Sequence, residues 1–516
     1  MPSYLSPGVY VEEVSSGSRP IEGVGTALCA FVGFTERGPA HEPILVTNWT
    51  QYTKTFGSFV DNAYLPHSVY GYFLNGGGSA YVVSIGTLGA DGKKPDAPAA
   101  LPPAGEVVSG ADNGKPAFTV RALAEGTSEQ EISVEVTDAT EAADDTFKLV
   151  VSQGGAPVET FDNLTTKRGA TNVVTVVRQQ SKLIRIEEPR TGSVAVPRKG
   201  STVRLAVDDP PRLPQVTPDE YAGDAGARTG FAGLETIEDV TMLCVPDAMS
   251  AYQTGVIDDE GLKAIHLAMI AHCELMGDRV AILDPPPGLG PQKLKEWRVD
   301  YAGYDSKYAT LYYPWVKVMD PLRGKPVFMP PSGHMAGVWA RTDSTRGVHK
   351  APANEVVRGV ISLESGMTRG EHDQLNPVGV NCIRTFPGQG IRVWGARTLS
   401  SDPEWRYLNV RRLFNFVEKS ILLGTNWVVF EPNDRYLWER VQRTISAFLR
   451  RVWRSGALFG GTPEQAFYVK CDAENNPPEN IDVGILTVDV GISPVKPAEF
   501  VVFRVSQLAQ GAELAE

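Results

Sequence analysis

At 516 residues the chain is too long for a single hydrophobic core, so two to four domains are expected. Hydrophobic residues make up 42% and charged residues 21%, an ordinary balance for a folded protein, while 51 glycines and 38 prolines argue against an all-helical chain. The net charge of −12 disfavours nucleic acid as a partner, because phosphate binding needs concentrated Lys and Arg.

Cys29, Cys244, Cys273, Cys382 and Cys471 are scattered with no C-x-x-C pair, which suits buried free thiols in a reducing compartment. Residues 1–13 have neither a basic start nor an apolar run, so they do not read as a signal peptide. No stretch approaches the ~18 apolar residues that cross a bilayer. The expectation is a chain made and folded in a cytoplasm, without membrane insertion.

Residues 1–20 read as an arm. One short strand around Val9, Tyr10, Val11 and Val14 is bounded by Pro7-Gly8 and by Ser15-Ser16-Gly17. Its backbone donors need a partner, and the polar link beside it offers none. An α/β pattern starts at Thr26. Ala27 to Gly33 is a short continuous apolar run, as in a strand buried on both faces. A helix is predicted from Leu65 to Leu74, stopped by Gly76-Gly77-Gly78, and another buried strand from Ala80 to Ile85. The pattern returns with strands at Val240 to Val245, Val280 to Leu283 and Leu311 to Val318, and with a helix over 259–276 ended by Gly277. Such alternation implies a mostly parallel sheet covered by helices, one α/β domain over 21–88 and 210–380 split by an insertion.

Between these halves, residues 89–209 contain no Trp and no Tyr, and carry β-type runs at Phe118 to Ala122, Glu131 to Val136, Phe147 to Val151, Val173 to Val177 and Val203 to Val207. They read as an inserted all-β module whose ends lie close together. In the last third, 381–516, a helix is predicted from Asp402-Pro403 to Leu423. A second is capped by Asp434 and runs to Arg454, and strands follow at Ile481 to Val490 and Glu499 to Val505. At 100° per residue the second helix separates Leu437, Val441, Ile445, Phe448, Leu449 and Val452 from an arc of Arg435, Arg440, Arg443, Arg450, Arg451 and Arg454.

Catalytic signatures are weak. Gly23-Val24-Gly25-Thr26 precedes a strand instead of joining strand to helix. Gly33 to Gly38 is followed by Pro39 where a phosphate loop needs Lys, and Gly77-Gly78-Ser79-Ala80-Tyr81 lacks the last glycine of a nucleophile elbow. His266 and His272 fall on or beside an apolar arc, and no Cys/His spacing suits zinc. Asp247 and Asp284 each follow a strand, where open α/β sheets bind ligands, and they carry the competing reading of a cytoplasmic α/β enzyme with a cleft beside them.

Several ordered segments resemble the tail sheath proteins of contractile phages and extracellular contractile injection systems. They are Tyr4, Ser6-Pro7-Gly8-Val9-Tyr10 and Glu12-Glu13; Arg19-Pro20-Ile21 with Gly25-Thr26; Phe31-Val32-Gly33 and Arg37-Gly38-Pro39; the blocks 330–354 and 384–399; and Pro497-Ala498-Glu499-Phe500. The resemblance covers both ends and the middle and leaves out 89–209.

It implies a non-enzymatic structural subunit that stacks as hexameric rings around an inner tube, meets baseplate and terminator or cap proteins, and contracts to drive the tube through a target envelope. No cofactor, metal or nucleic acid is implied. The particle would be assembled in the producing cell's cytoplasm, as a phage tail or a tail-like particle released by lysis. The 89–209 module would be an outer domain and 381–516 an assembly domain facing the tube. Neighbouring subunits would exchange terminal strands through Val9, Tyr10, Val11 and Val14 at one end and Phe500, Val501, Val502, Phe503 and Val505 at the other. An acidic tube surface would meet Arg435, Arg443, Arg450, Arg451 and Arg454, the alternatives being a solvated helix face or pairing with acidic neighbours in the sheath itself. A rigid, non-contracting shell subunit is the other structural alternative.

Overall fold

The computed structural model describes residues 20–88, 216–321 and 324–503. Between 104 and 205 it describes 104–109, 116–123, 132–187 and 195–205, apart from residues 142, 144, 154 and 168. Two compact units result, one from Met1–Lys93 with Leu213–Glu516, the other from Lys94–Arg212.

The first unit is organised by an eight-stranded sheet in the order Gly390–Val393, Val380–Phe386, Ala309–Tyr313, Val280–Leu283, Met242–Cys244, Cys29–Thr35, Ala80–Thr87, Ile44–Val46. All pairings between its inner strands are parallel, and an antiparallel strand closes each edge. Alternate residues of one strand supply two different cores. Ala30, Val32 and Phe34 pack with Leu262, Ile265 and Met269 of the Asp259–Met276 helix, whereas Cys29 and Phe31 pack with Val69, Tyr72 and Trp339 on the opposite face. Apolar residues are therefore needed at every position, which explains the unbroken hydrophobic runs. The Asp259–Met276 helix begins where the Asp258 carboxylate accepts the Gly261 N–H at 2.8 Å and ends on left-handed Gly277.

The 330–354 block acquires a packing explanation. Most of it is the Ser332–Arg346 helix, which lies on the Leu65–Asn75 helix. A Cβ at Gly333 would stand 2.5 Å from the Ser68 Cα, and one at Gly337 2.5 Å from the Tyr72 carbonyl oxygen. Only glycine permits this backbone approach.

Several expectations are corrected. Leu311 to Val318 is two strands, Ala309–Tyr313 and Val316–Met319, because Pro314 has no N–H to give a ladder; the second strand joins a separate sheet with Pro326–Met329 and Val360–Leu363. The boundary expected at 380 falls on a strand of the main sheet, which continues through Val393. The helix expected from Asp402 begins at Leu408, since Tyr407 pairs back on Arg397 and the Leu408 N–H donates to the Ala396 carbonyl. The strand expected over Ile481 to Val490 is a short helix, Pro478–Asp482, followed by a strand at Asp489–Ile492. Proline at the helix start and a left-handed turn at Gly484 separate the two.

The second unit contains two antiparallel sheets. One has the order Ala104–Val108, Pro116–Ala122, Ile184–Glu187, and the other Thr202–Arg204, Ile132–Thr137, Thr146–Gln153, Ala156–Thr165. Phe118, Val134, Phe147 and Leu149 lie in its core. The unit is not all-β: Val173–Gln180 is a helix. Its β-branched composition suggests a strand, but the Asn172 side chain accepts from the Val174 and Thr175 N–H groups, and Val173 and Val177, one turn apart, are buried.

Candidate assembly site

The C-terminal region packs the Leu408–Gly424 and Arg435–Arg454 helices around Leu413, Val417, Leu437, Val441, Ile445 and Phe448, with Ile21 joining them from the far end of the chain. Asp434 caps the second helix, its carboxylate accepting the Leu437 N–H at 2.8 Å. The predicted apolar arc is buried throughout. Arg435, Arg443, Arg450, Arg451 and Arg454 are exposed. Arg451 donates to the Ile21 carbonyl, and the expected arc member Arg440 is held by Glu431 at 2.8 Å over the Trp427 ring. Among the described residues, no carboxylate lies within ion-pair distance of Arg435, Arg443, Arg450 or Arg454. The helix thus presents a mostly cationic face, on which Tyr436 and Glu439 are also exposed.

Against this helix lies a two-stranded antiparallel sheet, Phe467–Lys470 with Asp489–Ile492. Two strands alone are marginal in water, and among the described residues no third strand joins them. The chain then runs to Phe500, Val501, Val502 and Phe503, whose side chains are between 67% and 86% exposed. The strand expected from Glu499 is not formed here: among the described residues, 499–503 join no strand of their own chain, and a strand needs a neighbour to bond. Val505 lies outside the described residues, as do Val9, Tyr10, Val11 and Val14 of the N-terminal arm.

Asp247 and Asp284 are both buried, and each holds backbone donors. The Asp247 carboxylate accepts the Phe34 N–H at 2.6 Å, the Leu65 N–H at 3.0 Å and the Tyr64 N–H, tying a strand end to the start of the Leu65–Asn75 helix. Asp284 accepts the Ser332 N–H at 2.9 Å at the start of the Ser332–Arg346 helix. Burial pushes both carboxyls up to about 7, against the opposing pull of these donors. The aspartates therefore dock helices onto the sheet, and the cleft-lining role expected of them is replaced by a structural one. His266 meets the Tyr304 hydroxyl at 3.1 Å, and burial lowers its pKa to about 3. Among the described residues, no group of three or more His, Cys, Asp or Glu could hold a metal, and no helix is long and apolar enough to cross a membrane.

The sequence reading missed the anchor of the terminal segment. Arg397 forms a two-pronged ion pair with Glu499 at 2.9 and 2.7 Å. The available signal was a lone carboxylate between Pro497-Ala498 and Phe500-Val501.

An α/β body with a cationic helix, an under-filled two-stranded sheet and an exposed apolar tail defines a structural assembly protein. The comparisons agree. Residues 222–399 match the phage tail sheath protein central domain, and 400–507 match the phage tail sheath C-terminal domain, together more than half the chain. A tail sheath protein of Vibrio phage KVP40 is 27% identical over 222 residues, 42% of this chain and 32% of the relative, so the match spans about a third of that relative's length. A chain in the cryo-EM structure of the anti-feeding prophage baseplate, 6-fold symmetrised, is 25% identical with a TM-score of 0.58, covering 98% of this chain and 99% of the other. A chain of the anti-feeding prophage helical sheath in its contracted state shares the fold, at 24% identity, a TM-score of 0.58 and coverage of 97% and 99%. The chain belongs to the phage tail sheath family, the structural sheath subunits of phage tails and contractile injection systems.

Proposed function

We propose that the chain polymerises as stacked six-fold rings around an inner tube, with baseplate and terminator proteins at the ends, and contracts to drive the tube through a target envelope. The observation that carries the reading is the end-to-end match to a chain of the 6-fold symmetrised anti-feeding prophage baseplate, 98% of one chain on 99% of the other. The chain's own surfaces support it. Four consecutive large apolar residues, Phe500 to Phe503, stand exposed on one terminal segment, and burial on a neighbour is the ordinary fate of such a patch. The two-stranded sheet Phe467–Lys470/Asp489–Ile492 needs further strands. Added strands satisfy backbone groups on both partners, so the exchange joins copies of the chain; the N-terminal strand around Val9 to Val14 would be the second donor. The stripe of Arg435, Arg443, Arg450 and Arg454 suits an acidic tube surface through contacts that salt screens. Contraction then needs no cofactor: the work is the free-energy difference between two packings of the same subunits.

Electron microscopy of the purified full-length chain tests the reading. Long hollow cylinders are expected, and a chain ending at Glu499 should form none while its body still folds. Discrete globular particles from the intact chain would refute it.

A further inference from the structure

Hydrogen bonding changes abruptly at one residue. Phe500, Val501, Val502 and Phe503 are exposed and make no hydrogen bond among the described residues, whereas Glu499 directly before them is held by four. Arg397 donates Nε to one carboxylate oxygen at 2.9 Å and Nη2 to the other at 2.7 Å. Asn376 adds a 2.8 Å bond and the Tyr407 hydroxyl a 3.2 Å bond. Burial pulls the Glu499 carboxyl up, and the donors of Arg397, Asn376 and Tyr407 together outweigh it, so the group stays ionised at neutral pH.

The clamp does not end at Arg397. Its backbone N–H donates to Asn381 Oδ1 at 2.7 Å, and its carbonyl accepts from Asn381 Nδ2 at 2.8 Å and Thr310 Oγ1 at 2.9 Å. Thr310 and Asn381 are fully buried on the neighbouring parallel strands Ala309–Tyr313 and Val380–Phe386. An unbroken line of hydrogen bonds therefore runs from the parallel sheet to the residue from which the apolar segment departs. A guanidinium fork on a carboxylate fixes direction as well as distance, which a lysine cannot do.

We infer that Glu499 is the positioning residue of the C-terminal arm: the Arg397 fork, locked to Asn381 and Thr310, sets the point and direction at which the arm leaves the subunit and passes the load on an exchanged arm into the parallel sheet. The inference rests on the reading that residues from Phe500 onward pair with another copy of the chain.

The test compares the full-length chain with Glu499→Gln and with a variant carrying two glycines inserted between Glu499 and Phe500, which leaves the clamp intact but frees the arm's origin. Two quantities are read: the unfolding temperature of the unassembled subunit, and the protein concentration at which cylinders first form. Both variants should unfold with the wild type yet need about tenfold more protein to form cylinders, the factor one charge-assisted hydrogen bond is worth. Equal thresholds for wild type and both variants would overturn the inference and leave the sheath reading standing. A lowered unfolding temperature with an unchanged threshold would also overturn it, making the clamp a prop of the body alone. Absence of cylinders from the wild type would fell the sheath reading and the inference together.

Discussion

Replacing Asp247 by Asn should abolish a pH dependence of stability that the wild type carries. The carboxyl is buried and titrates at about 7 in the folded subunit, against about 4 in the unfolded chain. Because the folded value is the higher one, the folded state holds the proton more tightly between these limits. Stability is fully present below about pH 4, falls as pH rises through the interval, and is level above about 7. Between pH 5.0 and 7.5 this single group changes the folding free energy by about 2–3 kcal/mol, the protonated subunit being the more stable. Asparagine cannot ionise and contributes no such slope. It does place an amide N–H₂ opposite the Phe34 or Leu65 N–H, so at pH 7.5 the variant is less stable by about 1–3 kcal/mol. Urea unfolding of wild type and Asp247→Asn at the two pH values reads both effects. The variant's deficit should be larger at pH 5.0 than at 7.5 by the 2–3 kcal/mol derived above. A deficit that is the same at both would refute the claim that Asp247 is a helix-docking carboxylate strained by its own burial.

Gly337→Ala should destabilise the body by roughly 2–3 kcal/mol, because the new methyl meets the Tyr72 backbone and not a movable side chain; thermal unfolding reads it, and Ala at solvent-open Gly366 is the control. Changing Arg435, Arg443 and Arg450 together to Glu should weaken co-sedimentation with the inner tube about tenfold at low salt, at roughly 0.5 kcal/mol per lost pair, and the difference should shrink at high salt. Val177→Asp should unfold the second unit while leaving the first intact, since Val177 is fully buried in that unit's own core; limited proteolysis would show a stable body and a cleaved 94–212 segment.

Local order was largely legible. The Arg435–Arg454 helix has a capping aspartate, a clean apolar arc and a stop, all within one stretch of chain, and the structure reproduces each. Short apolar runs such as Cys29–Thr35 were identifiable as doubly buried strands, since no residue on them could face water. Valine-rich 173–177 misled, because β-branched composition is a weak preference that a cap and a buried i, i+4 pair override. Asp247 and Asp284 misled for a related reason: a carboxylate after a strand is compatible with a ligand site or with a neighbouring helix, and only the position of Leu65 and Ser332 in space distinguishes them.

The family, the alternation of strands and helices, and the amphipathic face of the arginine-rich helix were readable from the residues alone, because each is written in positions close together along the chain. Tertiary structure alone decided that Glu499 is gripped by an arginine 102 positions earlier, that two strand-end aspartates hold helices instead of a substrate, and that Gly333 and Gly337 seat one helix on another. These contacts join distant positions, and their free energy depends on burial and on which backbone donors lie opposite, quantities that exist only once the chain has closed on itself.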